Sequence, residues 1–552
     1  MGTKVNSNYE DLLTFIRGSK GYALRPVSYG TELVVNGDFS DGTTEWTGAS
    51  STLTVVDGQL NVTDAGGYAS ARQAITTKIG SVYKIEIEII QGANINLDVY
   101  NGEDFTATAP DIIIASGLGV NSYVYSFVAE ATTSTISLRG NSGNGTVYKF
   151  DNVSVKEVTF DQPDGTLTLF EHPENVPRVE YDADGNRLGL LVEEPRTNLL
   201  TYSEDFTVQS GPWANGQKGD TSLTSGLTES PSMSDSVWKL FATSGTGTQI
   251  IQEDATVSGA TNVVGSVYLK KAEYKYGGIR LLDSSPSTGY SVFIDLDDGS
   301  VFDTSTRGTP TTSDYRVQDA GNGWWRLSVI TSSDGGSVNF TVGISDGTSI
   351  NSFDCVSFAG DGTSGIYIWG AQVEEGSFPT SYIKNEGTTS GVTRSADVVS
   401  IPVADFGYNQ SAGTVVVEAK TFSNAEANHG DFALTDSGTS PDLISGSRTG
   451  SSVAGSYSTW YRTAGTTQAN LVRTSTVEDN VFYKAGFCYK ANDFAQSVDG
   501  GSILSDSSGT VPSRNSVVLI GDNYYGKLNG HIKSIKYFPR RLTNAQLVDL
   551  TS

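Results

Sequence analysis

Two aromatic pairs, Trp460 with Tyr461 and Tyr524 with Tyr525, lie in stretches rich in Gly, Ser and Asn. A ring left on the surface there could cover the apolar face of a pyranose while amides and carboxylates meet its hydroxyls. Neighbouring positions on a strand face opposite ways, so at most one ring of each pair is expected to be exposed. Trp46, Trp213, Trp324 and Trp369 belong instead to longer repeated patterns, and packing accounts for them. Catalysis would need a nucleophile, or an acid and base held together, and no motif supplies either. His172, His429 and His531 share no short spacing with a second ligand type, which argues against zinc. The carboxylate pairs Glu193 with Glu194, Asp297 with Asp298 and Glu374 with Glu375 are adjacent in sequence. On strands they point to opposite faces and cannot cooperate as a glycosidase dyad. DADG at 182–185 lacks the spaced oxygens of a calcium loop and reads as a hairpin turn. A binding protein rather than an enzyme is expected.

The elements that must position these residues are strands. A chain of 552 residues exceeds one core, so three or four domains are expected. Gly 62 and Pro 15 punctuate short runs of Val, Ile, Tyr and Phe without long helical periods, an all-β composition. Lys+Arg 36 against Asp+Glu 62 gives a net charge of −26, which repels phosphate backbones and anionic membranes, so no nucleic acid is expected as a partner. Cys355 and Cys488 fall in different modules and read as small buried hydrophobes. No signal peptide is recognisable, and no run approaches the roughly 18 apolar residues of a membrane span, so synthesis in a cytoplasm and no membrane insertion are expected.

Taken in order, residues 1–30 form a basic, partly apolar piece, DLLTFIRGSKGYALRP, ahead of an acidic chain. Leu12, Leu13, Phe15 and Arg17 would anchor it to a partner, or the piece pairs as a strand with the first module; both readings stand open. The first module, 31–159, opens ELVVNGDFSDGTTEW and closes YKFDNVSVKEV, and VYKIEIEII, LDVY and STISLRG alternate between them as antiparallel strands do. A turn-rich connection, 160–196, leads to a second module, 197–384. There TNLLTYSEDFTVQSGPW lines up with TELVVNGDFSDGTTEW, and IYIWGAQVEEG with YKFDNVSVKEV, an internal repeat. A linker, 385–399, precedes a third module, 400–552, in which Thr543 and Gln546 form a capping box ahead of Leu547 and Leu550. The expected fold is all-β: tandem β-sandwich (jelly-roll) modules with a short C-terminal helix.

The words GLLVEEPRTNLL and YSEDF, the run GNGWWRLSV and the closure WGAQVEEGSFPTSYI resemble segments of modular bacteriophage virion proteins of the tail-fibre, head-fibre and minor structural type. TFIRGS resembles the segment that precedes their modules. The ends of the first module resemble those of carbohydrate-binding-module jelly rolls, and LNGHIKSIKYFPRRLTNAQLVDL resembles the close of a concanavalin-A-like or laminin-G-like sandwich. The resemblance implies a virion protein made in the host cytoplasm, a fibre or spike displaying lectin-like modules for host-surface glycan attachment. Its partners would be other virion structural proteins, it would be a homo-oligomer, and the third module would face outward with the N-terminal segment inward. Capsid decoration and surface-polysaccharide depolymerisation are the alternatives. In such jelly rolls a structural Ca2+ ties the first strand to the last, and Glu32 and Asp151 occupy those places; otherwise they are solvated strand-end carboxylates. In the second module the match to Asp151 falls at Trp369 or Gly370, so no second ion is expected.

Overall fold

The structure, a computed structural model, describes residues 13–552 apart from 104–108, 142, 144, 208–212, 214–219, 226–227, 234–236, 285–286, 351–354, 356, 424–428, 437–441, 450–454, 475–476, 514–515 and 524. Alternation becomes strands as its period requires. Val82–Gln91 buries Tyr83, Ile85, Ile87 and Ile89 and turns Glu86 and Glu88 to the other face. In the first sandwich one sheet sets Gln59–Asp64, Val147–Phe160, Val82–Gln91 and Asn121–Val128 side by side, and the other sets Ser70–Thr76, Thr133–Gly140, Ile95–Asn101 and Ile112–Leu118. The second sandwich keeps that order. Trp238–Ala242, Gly365–Glu375, Thr261–Lys271 and Trp324–Ser333 face Ile250–Val257, Gly336–Ser345, Tyr276–Asp283 and Thr288–Asp295. Val301–Arg307 and Ser313–Gly321 then widen each sheet by one strand.

The repeat extends to side chains. Central strands Val147–Phe160 and Gly365–Glu375 carry a register shift at the same place, after Asp151 and after Trp369. At each bulge a residue with positive φ follows, Asn152 (φ 51) and Gly370 (φ 64). Near the start of each sandwich Phe39 packs on Trp46 and Phe206 on Trp213, with ring centroids 5.6 and 4.8 Å apart. Each indole N–H donates to a backbone carbonyl upstream, that of Asn36 and that of Tyr202.

The third sandwich is assembled from the whole chain. One seven-stranded sheet runs Thr14–Ile16, Val398–Pro402, Val517–Ile520, His429–Thr435, Leu443–Thr449, Ser456–Thr463 and Thr466–Arg473. The other runs Val179–Tyr181, Arg187–Val192, Gly530–Phe538, Ala412–Thr421, Tyr483–Lys490, Phe494–Val498 and Leu504–Asp506. The first two sandwiches are therefore excursions from the third. The first leaves along Gly21–Tyr29 and returns along Thr166–His172, antiparallel with Gly21 opposite His172. The second leaves along Arg196–Asn198 and returns along Val392–Arg394, with Arg196 opposite Arg394. The stretches read as an anchoring segment (1–30), a connection (160–196) and a linker (385–399) thus supply paired strands, because unpaired N–H and C=O groups beside a sheet edge gain most by joining it.

The C-terminal helix Asn544–Thr551 starts at the capping box, where Gln546 N–H donates to Thr543 Oγ1 and Thr543 N–H to Gln546 Oε1. It buries Leu547 against Val416, Cys488 and Ala495 of the sandwich.

Candidate functional site

In Ile95–Asn101 the apolar Ile95, Leu97 and Val99 enter the first core, so Asn96, Asp98 and Tyr100 share the opposite face. Register places Arg72, Ser137 and Asp98 in one row across three strands, with Ser70, Arg139 and Asn96 in the next. Arg139 Nε donates to Asp98 Oδ2 at 2.6 Å and its Nη1 to Asn141 Oδ1 at 3.1 Å, while Asn141 Nδ2 donates to Asn96 Oδ1 at 2.9 Å. Arg72 Nη2 donates to the Tyr100 hydroxyl at 3.0 Å and its guanidinium lies 4.2 Å from that ring's centroid. Asp98 is fully buried, and among the described residues its Oδ1 has no hydrogen-bond partner. Burial pushes the Asp98 carboxyl up against the opposing pull of Arg139. At the edge of this face Asp64 Oδ1 accepts the amides of Gly66 and Gly67, and the turn presents Tyr68, 62 % exposed, with Arg139 over its ring. Of these aromatic and charged groups Tyr68 alone is exposed, an aromatic ring set on a buried polar network and suited to cover the apolar face of a sugar.

The equivalent face of the second sandwich is closed. Gln73 gives the alignment: its side-chain amide accepts from Val35 N at 2.7 Å and donates to Val35 O at 2.8 Å, as Glu253 accepts from Thr201 N at 2.9 Å. The same register then sets Gln252, Thr341 and Arg280 where Arg72, Ser137 and Asp98 stand, and Gly343 and Gly278 where Arg139 and Asn96 stand. Arg280 donates to Gln252, Thr341 and Asn339, and Asn339 to Asp254. Over the two glycines lies an apolar plug of Ile250, Phe293, Ile350 and Cys355; a Cβ on Gly278 would meet Phe293 at 2.4 Å.

The residues singled out in sequence are placed differently. Tyr461 is a core residue, 4.6 Å from Phe494 and donating its hydroxyl to Cys488 O, since its neighbour Trp460 takes the outer face. Trp460 is half-buried and Tyr525 is 47 % exposed; the Arg462 guanidinium lies over both rings, as Arg139 does over Tyr68, and donates to the Tyr525 hydroxyl. Tyr524 lies outside the described residues. Leu12 does too, whereas Leu13 and Phe15 pack on the third core and Arg17 is fully buried, so these three are covered rather than offered to a partner.

Glu32 and Asp151 take separate hydrogen-bond partners. Glu32 Oε1 accepts the amides of Leu33, Val34 and Val155, and Oε2 accepts Ser154 Oγ, which ties the first segment to the last strand directly. Asp151 turns to the amide of Asn152. In the second sandwich the neutral Asn198 does the same work, its Oδ1 accepting Leu200 N and Val373 N. There an amide oxygen supplies the acceptor that joins the first segment to the last strand. Among the described residues no three metal-capable side chains gather.

The recurrent words of the sequence meet where the excursions are rooted. Arg17, Arg178, Glu193, Arg394 and Asp397 are all fully buried. Asp397 takes Arg17 Nη1 on Oδ1 at 3.3 Å, and Arg178 Nη2 on Oδ2 at 2.6 Å. Glu193 takes Arg178 at 2.8 Å and Arg394 at 3.5 Å, together with the amide and hydroxyl of Ser381. Although burial raises it, the Glu193 carboxyl is held at about 2 by Arg394, Arg178 and the Ser381 donors. Burial and Arg178 lower Arg17 to about 10. Each adjacent acidic pair is likewise engaged: Glu194 with Arg196, Glu374 with Thr380, Glu375 with Ser258, Asp297 with Lys271, Asp298 with Ser300.

No family model matches the chain and no curated protein matches it in sequence. Among solved structures it is similar to the CBM40 domain of a Ruminococcus gnavus sialidase bound to α2,3-sialyllactose, at 16 % identity over 27 % of this chain and 86 % of that one, TM-score 0.23. It is also similar to a tandem CBM22 pair from Paenibacillus barcinonensis Xyn10C, at 12 % identity over 63 % and 98 %, TM-score 0.21, and to mouse laminin α1 LG4–5, at 10 % identity over 64 % and 93 %, TM-score 0.19. Likenesses this loose carry neither ligand nor activity to this chain. No helix among the described residues is long and apolar enough to cross a membrane.

Proposed function

We propose that this protein is a glycan-binding attachment protein of a bacteriophage particle, a fibre or spike component that recognises host-surface saccharide through the outer face of its first sandwich. The observation that carries the binding role is the ring of Tyr68, 62 % exposed on the Gly66–Gly67 turn and held by Arg139, whose Nε is fixed in turn by Asp98. The apolar face of a saccharide ring covers Tyr68 while its hydroxyls meet the polar groups around the turn. The virion role rests on the sequence words that resemble phage proteins, and the third sandwich, with its N-terminal edge strand, is the base from which the other two project. A single small face binds weakly, and homo-oligomeric display raises avidity without new contacts.

The test is titration of the full chain with host-surface polysaccharides by calorimetry, alongside Tyr68→Ala. Because Tyr68 is exposed, its removal should leave folding intact and weaken binding. Saccharide binding that ignores Tyr68→Ala counts against this face, and particles that adsorb normally without the protein count against the attachment role.

A further inference from the structure

The packing of the first excursion against the second creates a cleft of about 950 Å³ that neither sandwich has alone. Tyr22 and Leu167 of the first stem press on Tyr268, Trp324 and Trp369 of the second sandwich, and Lys84 bridges to Glu229 at 2.9 Å, so the walls are held together. Gly321 lets the stem approach: a Cβ there would meet Leu167 O at 2.3 Å. Phe127, Met233 and Val237 are buried in the wall, and Tyr125, Phe170, Tyr202 and Trp238 are half-buried rings along it.

The polar groups have one sign in excess. Four carboxylates, Glu171, Glu204, Asp205 and Glu386, line the cleft against two ammonium groups, Lys20 and Lys384. Both lysines are already paired, Lys20 with Glu171 at 3.2 Å and Lys384 with Glu204 and Glu386 at 3.2 and 2.7 Å. Directional groups are engaged as well. Asn385 is bonded at both ends of its amide, and Trp238 N–H donates to Glu204 O at 2.7 Å. Asp205 and Glu386 stand exposed at the mouth above aromatic walls.

We infer that this cleft is a second binding site, for a basic segment of a partner protein whose lysine or arginine head groups meet Asp205 and Glu386 and whose apolar side chains enter between Tyr125 and Trp238. Ammonium and guanidinium groups gain from both the carboxylates and the ring faces, and the net charge of −26 steers such a segment inward. The site is separate from the saccharide face and does not depend on it.

The probe is a short fluorescein-labelled peptide of alternating lysine and leucine, titrated into the full chain by fluorescence anisotropy. Saturable binding is expected that weakens with added salt and falls about tenfold in Asp205→Asn/Glu386→Gln, whose two sites are exposed and do not threaten the fold. Asp41→Asn/Glu45→Gln, an equal loss of charge elsewhere on the surface, should bind as the parent does, and so should Tyr68→Ala. Absence of saturable binding, equal weakening in both charge-reduced variants, or a neutral cello-oligosaccharide that blocks the cleft where the peptide does not, would each overturn the inference.

Discussion

The first and second sandwiches share strand order, the bulge at Asn152 and Gly370, the Phe–Trp pair and the acceptor that ties first segment to last strand, yet their outer faces diverge. One presents an exposed Tyr68 with Arg139 over its ring; the other satisfies Arg280 internally and plugs the remainder with Phe293 and Ile350. What the copies have in common holds the fold, and where they differ is where recognition can reside. Backbone closure demands the same acceptors and turns in both, whereas a surface row of side chains is free to change.

The largest effect should come from the root that both copies share. Asp397→Ala strands Arg17 and Arg178 in a fully buried site, and about 3–5 kcal/mol of stability should be lost in denaturant unfolding, to the detriment of both sandwiches alike. A milder loss, or one confined to one sandwich, would show that the copies are held independently.

Next comes a difference between the copies. Gln73 both accepts from and donates to Val35, but Glu253 only accepts from Thr201, and among the described residues its Oε2 has no partner. Burial raises the Glu253 carboxyl from 4.5 to about 7. The stability it contributes is full below pH 4.5 and is lost as pH rises through about 7. Glu253→Gln should therefore restore the arrangement of the first copy, adding about 2 kcal/mol at pH above 7 and flattening the thermal-melt profile between pH 5 and 8. An unchanged profile would break the equivalence of Gln73 and Glu253.

Smaller again is the binding contrast. Tyr68→Ala should lose about 1 kcal/mol of saccharide affinity, roughly fivefold, whereas Arg280→Ala should leave affinity unchanged and affect only melting. The smallest effect is expected at Glu32. Glu32→Gln keeps an acceptor, as Asn198 does in the second copy, so less than about 1 kcal/mol should be lost and EDTA should not shift the melt of the parent protein. A chelator-sensitive melt abolished by Glu32→Gln would restore calcium to this strand junction.

The all-β class, the repeat and the capped C-terminal helix were legible because each leaves a local pattern: alternation, paired words at both ends of a module, Thr543 three residues before Gln546. The rooting of both excursions in the third sandwich was not, because pairing of Thr14–Ile16 with Val398–Pro402 joins residues far apart in sequence and three-residue strands carry no period. The words that resemble phage proteins hold residues whose work is written in no single one of them. Arg17, Glu193, Arg394 and Asp397 are charged residues far apart in sequence, and only in space do they neutralise one another. Tyr68 in AGGYAS meets the criterion that singled out Trp460, an aromatic among small residues, and Asn96, Asp98 and Tyr100 alternate visibly with Ile95, Leu97 and Val99. Their importance depended on Arg72 and Arg139 from neighbouring strands, which no single stretch reveals.

The central claim, that the first sandwich recognises saccharide through a face the second has closed, is tested most directly by hydrogen–deuterium exchange of the full chain with and without host-surface polysaccharide. Added protection over 66–74, 95–101 and 133–140, with none over the equivalent 276–283 and 336–345, is the predicted result. Protection in the second copy, or around Trp460 and Tyr525 in the third sandwich instead, would contradict it.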